Sequence, residues 1–135
     1  MSKTENPAIP AHSAEALLRD IAQWGNTTTI IIHGGCVFEF KGCFPQGQSA
    51  EGFYNLKGES GFEGHLNLTR VAAIELQSKI HRGRESHAFV FVNNIQEVMF
   101  KIFLGRQENG DLIASQLEKF NLIKQQYQQV AENEE

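Results

Sequence analysis

A run of short β-forming segments, separated by glycines, occupies the middle of this sequence and constrains its fold most. Residues 27–33 are rich in β-branched side chains, Gly34-Gly35 supplies a tight turn, and residues 36–41 alternate with a period of two. Further strand candidates lie at 53–57, 62–68, 71–80, 87–93 and 98–104. Short strands joined by tight turns predict an antiparallel meander sheet of about seven strands.

Helices are predicted on both sides of this β-rich region. Apolar residues recur at helical spacing after Ser13, a good capping residue, and again from 112 to 131. A chain of 135 residues can bury one ordinary core, so we expect a single α+β domain over 13–131. Residues 1–12 are predicted to be a flexible lead-in and residues 132–135 a frayed acidic tail.

Two helices cannot cover both faces of a sheet of this size. One face therefore carries the helices, and the other must be solvated, paired with another subunit, or used as a ligand platform. This uncovered face is the structural expectation that bears most directly on function.

Composition removes several classes of protein. The formal net charge is −4, from 12 basic and 16 acidic residues, whereas a nucleic-acid surface needs clustered positive charge. No apolar run approaches the ~18 residues of a membrane span, and the first ten residues lack a secretory apolar stretch. We therefore expect a cytoplasmic protein with no nucleic-acid partner and no membrane insertion.

The sequence holds no recognisable catalytic or metal-binding signature. Phosphate-binding loops, the nucleophile elbow and zinc-protease motifs are absent from it. Cys36 and Cys43 lie seven residues apart, which fits neither a redox pair nor a zinc knuckle, so we expect free thiols. No catalytic residue is therefore assigned.

Five histidines accompany ten phenylalanines, a combination that suits a haem-sized ligand. In the strand FEGHLNL, His65 alternates with the apolar positions and points away from the core, towards a ligand, a partner subunit or solvent. His33 precedes the Gly34-Gly35 turn and is equally well explained as a polar turn neighbour. His87 shares a face with aromatic residues and is expected to be a buried, hydrogen-bonded histidine.

Basic residues that could meet carboxylates also occur near strand ends. Arg82 and Arg84 flank Gly83 in a turn, where two guanidinium groups could each bind a carboxylate bidentately. Lys101 and Arg106 are similar candidates. A solvated turn explains the two arginines equally well.

Several blocks of the sequence, taken in order, resemble a known family. They are WGN at 24–26, VFEFKG at 37–42, GFYNLKG at 52–58, GHLN at 64–67, GRES at 83–86 and MFKIFLGR at 99–106. From about residue 13 to residue 123 the chain resembles the ChuX/HutX-type cytosolic haem-utilisation carriers. The resemblance implies an α+β subunit similar to half of the two-repeat haem-utilisation fold, pairing as a homodimer that binds haem.

The resemblance also implies roles for particular residues. A family histidine in a Gly-His-apolar motif matches His65, while a second one falls on Ile32, next to His33. His81 stands where members often carry an apolar residue, which makes it an additional candidate.

We therefore expect a non-enzymatic haem carrier of iron acquisition, with haem as its cargo. His65 would bind the iron, with His33 and His81 as secondary candidates and no other metal. The propionate candidates are Arg82, Arg84 and Lys101. A haem-degrading enzyme or a haem importer would be the transient partner. The alternatives are a haem oxygenase-like enzyme and a haem-free dimeric interaction domain.

Overall fold

The β-rich middle of the chain folds into antiparallel strands, and a helix lies on each side of it in sequence. The computed structural model describes residues 6–59 and 61–133. In chain order the elements are β1 (Ala8–Pro10), α1 (Ala14–Ile21), β2 (Asn26–His33), β3 (Cys36–Cys43), β4 (Gln46–Ala50), β5 (Phe53–Lys57), β6 (Gly64–Leu66), β7 (Val71–His81), β8 (Arg84–Asn93), β9 (Val98–Leu104) and α2 (Ala114–Asn133). The predicted α+β class is confirmed.

The strands form two sheets rather than one. The main sheet has the order β1-β7-β8-β9-β2-β3, and the small sheet has the order β4-β5-β6. Within the main sheet, β9 pairs with β2, and Thr27 lies opposite Leu104. The hairpin β2–β3 and the strands β7 to β9 therefore meet in space although the small sheet separates them in sequence.

Two strands were not predicted from the sequence. β4 is the polar segment QGQSA, and it becomes a strand by pairing with β5 from Gln46 to Ala50. β1 pairs with β7, and Ile9 of β1 is only 2% exposed. Ordered structure therefore includes residues 8–12 of the segment expected to be a flexible lead-in, while residues 1–5 lie outside the described part of the chain.

The ends of the helices also differ from the prediction. Ser13 precedes α1, but its side chain makes no hydrogen bond to the start of that helix. The predicted frayed tail is helical as far as Asn133, and residues 134–135 lie outside the described part.

Both helices contribute to a core on one face of the main sheet, which we call the helix-covered face. Phe89 and Phe91 of β8 point into this core, together with Leu18 of α1 and Phe120 of α2. On the other face, the open face, Ala88, Val90 and Val92 form a smaller cluster to which neither helix contributes. This arrangement confirms the expectation that the helices cover one face.

The hairpin β2–β3 exposes apolar side chains on both faces. Gly34 and Gly35 have φ values of 59° and 83°, which only glycine adopts freely and which a two-residue turn requires here. Four large apolar residues remain exposed: Ile32 by 59%, Val37 by 57%, Phe38 by 51% and Phe40 by 38%. Because β3 is an edge strand of the main sheet, this surface is open to a partner.

Gln116 joins α2 to the main sheet from a fully buried position. Its amide nitrogen donates to the carbonyl oxygens of Trp24 and Asn26 at 3.1 and 2.8 Å, and its amide oxygen accepts from the Gly105 N–H at 2.7 Å. Gly105 lies so close to β2 that a Cβ there would stand 1.9 Å from the Asn26 carbonyl oxygen. The amide thus satisfies backbone groups that the end of the sheet leaves unpaired.

Candidate functional site

His65 lies on the exposed face of the small sheet. Along β5, Tyr54 and Leu56 are buried at 1% and 5% exposure, and Asn55 between them faces outward. His65 is directly opposite Asn55 in the β5–β6 register and is itself exposed. The prediction that His65 points away from the core is therefore confirmed.

Asn55 fixes the orientation of the His65 ring. The amide nitrogen of Asn55 lies 3.2, 3.1 and 3.4 Å from the carbonyl oxygens of Gln48, Ala50 and Phe53, to which it donates. Its amide oxygen is consequently left to face Nδ1 of His65, 2.6 Å away. Because that oxygen can only accept, the hydrogen bond selects the tautomer of the neutral ring in which Nδ1 carries the proton and Nε2 keeps its lone pair.

An imidazole held in this way can bind a metal ion. Histidine ligands commonly donate their second ring N–H to a neighbouring acceptor, which sets the tautomer and the ring orientation. The Phe53 ring, 41% exposed, approaches the His65 ring edge-on with centroids 6.2 Å apart. An exposed aromatic side chain therefore lies beside the His65 imidazole.

Sequence reasoning missed two residues of this face. Asn55 carried a detectable signal, namely a polar side chain at an outward position of the strand FYNLK. Lys57, two positions further on, shares the outer face, and its Nζ lies 3.4 Å from the Gln48 amide oxygen. It supplies a cation on the same surface as His65.

The predicted propionate residues do not lie near His65. Arg82 and Arg84 line a cleft of about 770 Å³ on the open face of the main sheet, whereas the small sheet packs into the core on the helix-covered face. Lys101 also faces the open side, between Val90 and Ile30 in register. One flat ligand cannot contact His65 and these three cations of the same chain.

We call this second region the cationic cleft. Its basic lining residues are Lys41, Lys79, Arg82, Arg84 and Arg106, with His81 beside them.

The secondary histidine candidates are also separated from His65. His81 belongs to the cationic cleft, and His33 lies at the exposed tip of the hairpin β2–β3.

His87 is a structural histidine, as predicted. It is 7% exposed, with Nδ1 2.8 Å from the Ser78 hydroxyl and Nε2 2.5 Å from a Glu85 carboxylate oxygen. Its ring packs 5.1 Å from that of Phe120, centroid to centroid. Both ring nitrogens are therefore occupied, which leaves none for a ligand.

The two cysteines are not joined in a disulfide bond. Cys36 and Cys43 are free and exposed. Within residues 6–59 and 61–133, no group of three or more His, Cys, Asp or Glu side chains is placed to hold a metal ion. In the same part of the chain, no helix combines the length and the apolar character needed to cross a membrane.

Comparison with known proteins identifies the family. A family model described as "Haem utilisation ChuX/HutX" matches residues 8–123. The intracellular heme transport protein HutX of Vibrio cholerae serotype O1 is 43% identical over 122 residues, which represent 90% of this chain and 63% of HutX. The chain thus spans less than two thirds of the length of this curated relative.

Solved structures show the same fold. The heme binding protein ChuX superposes with a TM-score of 0.83 at 26% identity, covering 90% of this chain and 76% of ChuX. ChuS, the heme degrading enzyme of Escherichia coli O157:H7, superposes with a TM-score of 0.74 at 18% identity, covering 91% of this chain and 37% of ChuS. At that identity ChuS shows the fold alone. By the family match over most of its length, this chain belongs to the ChuX/HutX haem-utilisation family.

Proposed function

We propose that this protein binds haem as cargo and carries it in the cytoplasm during haem and iron utilisation. The observation that carries the proposal is the exposed His65 imidazole, whose Nε2 lone pair is kept available by the hydrogen bond from Nδ1 to Asn55. Two relatives support it: HutX is named an intracellular heme transport protein, and ChuX a heme binding protein. Transient partners are a haem importer as donor and a haem-degrading enzyme as acceptor.

The residues around His65 suit a ligand that must also be released. His65 would bind the iron, and Phe53 would contact the porphyrin face. Lys57 replaces Arg82, Arg84 and Lys101 as the candidate for a propionate, because it shares the His65 face. An open site with one firm ligand allows faster dissociation than an enclosed, doubly ligated site, as handover requires.

The hairpin β2–β3 supports a homodimer. We propose that a second copy of the chain covers its exposed apolar side chains, because an edge strand flanked by such residues favours association. Val37→Glu places a charge in this surface and should convert a dimer into a monomer, as measured by light scattering coupled to gel filtration.

Ile95→Glu is the matched control for the dimer. Ile95 is 67% exposed in the turn between β8 and β9, and its substitution should leave the dimer intact. A monomeric wild-type protein at micromolar concentration would overturn the dimer, as would equal dissociation by both variants.

Titration with hemin followed by exposure to a reductant and oxygen tests the proposed function. We expect a saturable Soret shift with one haem per chain, and a Soret band that persists after reductant and oxygen are added. Loss of the band with release of iron, insensitive to catalase, would instead indicate a haem-degrading enzyme. No saturable shift would indicate a haem-free interaction domain.

A further inference from the structure

The main sheet ends at β1, a short strand that covers only part of β7. β1 pairs with residues 73–75 of β7, and the Leu76 N–H donates to the Pro7 carbonyl oxygen at 2.9 Å. On its other side, β7 is paired with β8 as far as its last residue. In the described part of the chain, no strand pairs with residues 77–81 on the β1 side. We call these five residues the β7 edge.

Backbone groups of the β7 edge point away from the sheet at every second residue. In an antiparallel strand the N–H and C=O of one residue point to the same side, and that side alternates along the strand. Because the Leu76 N–H points towards β1, the backbone groups of Ser78 and Ile80 point the same way. Those of Gln77 and Lys79 point towards β8. Ser78 and Ile80 therefore offer donors and acceptors to an additional strand.

The side chains of the β7 edge differ between the two faces of the sheet. Ile80 lies on the same face as the buried Leu76, but it extends past the core and is 69% exposed. Lys79 and His81 lie on the open face and line the cationic cleft. An additional strand would therefore contact an apolar side chain on one face and basic side chains on the other.

Positive charge surrounds the β7 edge. Lys79 and Arg82 are exposed on the strand and in the turn that follows it. Lys124 approaches from α2, where its Nζ donates to the serine hydroxyl of this edge at 3.2 Å. Glu85 on the neighbouring strand pairs with His87, 2.5 Å away. Among the described residues, no acidic side chain forms an ion pair within 4.0 Å with any of these three cations.

The charge of the β7 edge determines which kind of partner fits it. Two copies of this chain that paired through the edge would bring their lysine and arginine side chains together, and like charges destabilise a pair of strands. Lysines on edge strands commonly prevent self-association in this way. An acidic strand would instead neutralise the uncompensated charge.

We propose that the β7 edge binds an extended acidic segment of a partner protein as an additional strand. The backbone of that segment exchanges hydrogen bonds with Ser78 and Ile80, and its acidic side chains face Lys79 and Arg82. Apolar side chains that alternate with the acidic ones cover Ile80. This surface requires no haem, so it goes beyond haem carriage. It also lies at the edge of the main sheet opposite to the hairpin β2–β3.

A fluorescein-labelled peptide of seven alternating valine and glutamate residues tests the β7 edge, by fluorescence anisotropy with the haem-free protein. We expect saturable binding that weakens as the salt concentration rises, because screening acts on the charges that attract the peptide. Lys79→Glu should weaken binding about tenfold or more. Arg70→Glu reverses an exposed charge beyond the other end of β7 and should bind as the wild type does. A peptide with lysine in place of glutamate should not bind.

Amide hydrogen exchange followed by NMR distinguishes strand pairing from attraction by charge alone. The peptide should slow the exchange of the Ser78 and Ile80 N–H groups about tenfold or more, whereas Gln77 and Lys79, already paired with β8, should change little. Ile80→Pro removes one outward N–H, which an edge strand tolerates, and should weaken binding about tenfold. Ile80→Ala keeps that N–H and should bind more tightly than Ile80→Pro.

Four outcomes would overturn the proposal. The first is an absence of saturable binding, and the second is binding that does not protect the Ser78 and Ile80 amides. Binding that appears only after residues 1–5 are deleted would assign the edge to the chain's own first residues. A wild-type dimer that Ile80→Pro converts into a monomer would assign it to a second copy of the chain.

Discussion

Replacing His65 by alanine should remove the iron–imidazole bond and weaken haem binding by about 100-fold or more, since even outer partners of a metal ligand change affinity about 10- to 100-fold. The change removes only an exposed ring, so the fold should persist. Absorbance titration with hemin measures the affinity, and resonance Raman spectroscopy detects the loss of the iron–nitrogen bond.

Two other histidine variants are matched controls. His33 and His81 lie away from the His65 face, at the hairpin tip and in the cationic cleft. His33→Ala and His81→Ala should therefore keep the wild-type Soret maximum and affinity. An unchanged Soret shift in His65→Ala, or equal losses in all three variants, would contradict the proposed iron ligand.

Asn55→Ala should produce an intermediate effect in the same titration. The substitution leaves Nε2 in place but removes the acceptor that selects the tautomer and holds the ring, so we expect haem affinity to fall about tenfold. Gln125→Ala changes an exposed polar side chain of α2, outside the small sheet, and should have little effect. Equal affinities of Asn55→Ala and the wild type would show that the His65 ring needs no orienting partner.

The alternation of residues along one strand was enough to predict the face of the sheet on which His65 lies. Alternation in FEGHLNL places it opposite the apolar positions, and this depends only on the two-residue period of a strand. The partner of His65 could not be predicted in the same way. Asn55 meets it because β5 and β6 pair in one particular register, which the chain between them determines and no residue period encodes.

The sequence likewise did not predict on which face of the main sheet the small sheet packs. Parity assigns Lys101 to one face of its own strand, but it does not say on which side of that sheet another sheet will pack. The small sheet packs on the helix-covered face, which puts His65 on one side and Arg82, Arg84 and Lys101 on the other. Polar β4 was missed because its strand conformation comes from pairing with β5 rather than from its own alternation.

Gln116→Leu should destabilise the protein more than any other single change considered, because it removes hydrogen bonds to the backbone of three residues. The apolar side chain would leave the Gly105 N–H and the carbonyls of Trp24 and Asn26 buried without these partners. At about 1 kcal/mol or more for each group, the loss is about 3 kcal/mol in the free energy of unfolding. We expect the melting temperature to fall by about 10 °C in differential scanning calorimetry.

Gln125→Leu, at an exposed position of the same helix, is the matched control and should change stability by less than about 0.5 kcal/mol.

Gln116→Glu tests the direction in which the stability of the variant changes with pH. The introduced carboxylate can accept from the Gly105 N–H, but it faces the two carbonyl oxygens that the amide nitrogen now contacts, so its pKa should rise on folding. Protonation restores one donor, and the variant should therefore regain stability relative to the wild type as the pH falls. If Gln116→Leu were no less stable than Gln125→Leu, these backbone groups would have to find other partners. The close contact between Gly105 and Asn26 would then need a different source of stability.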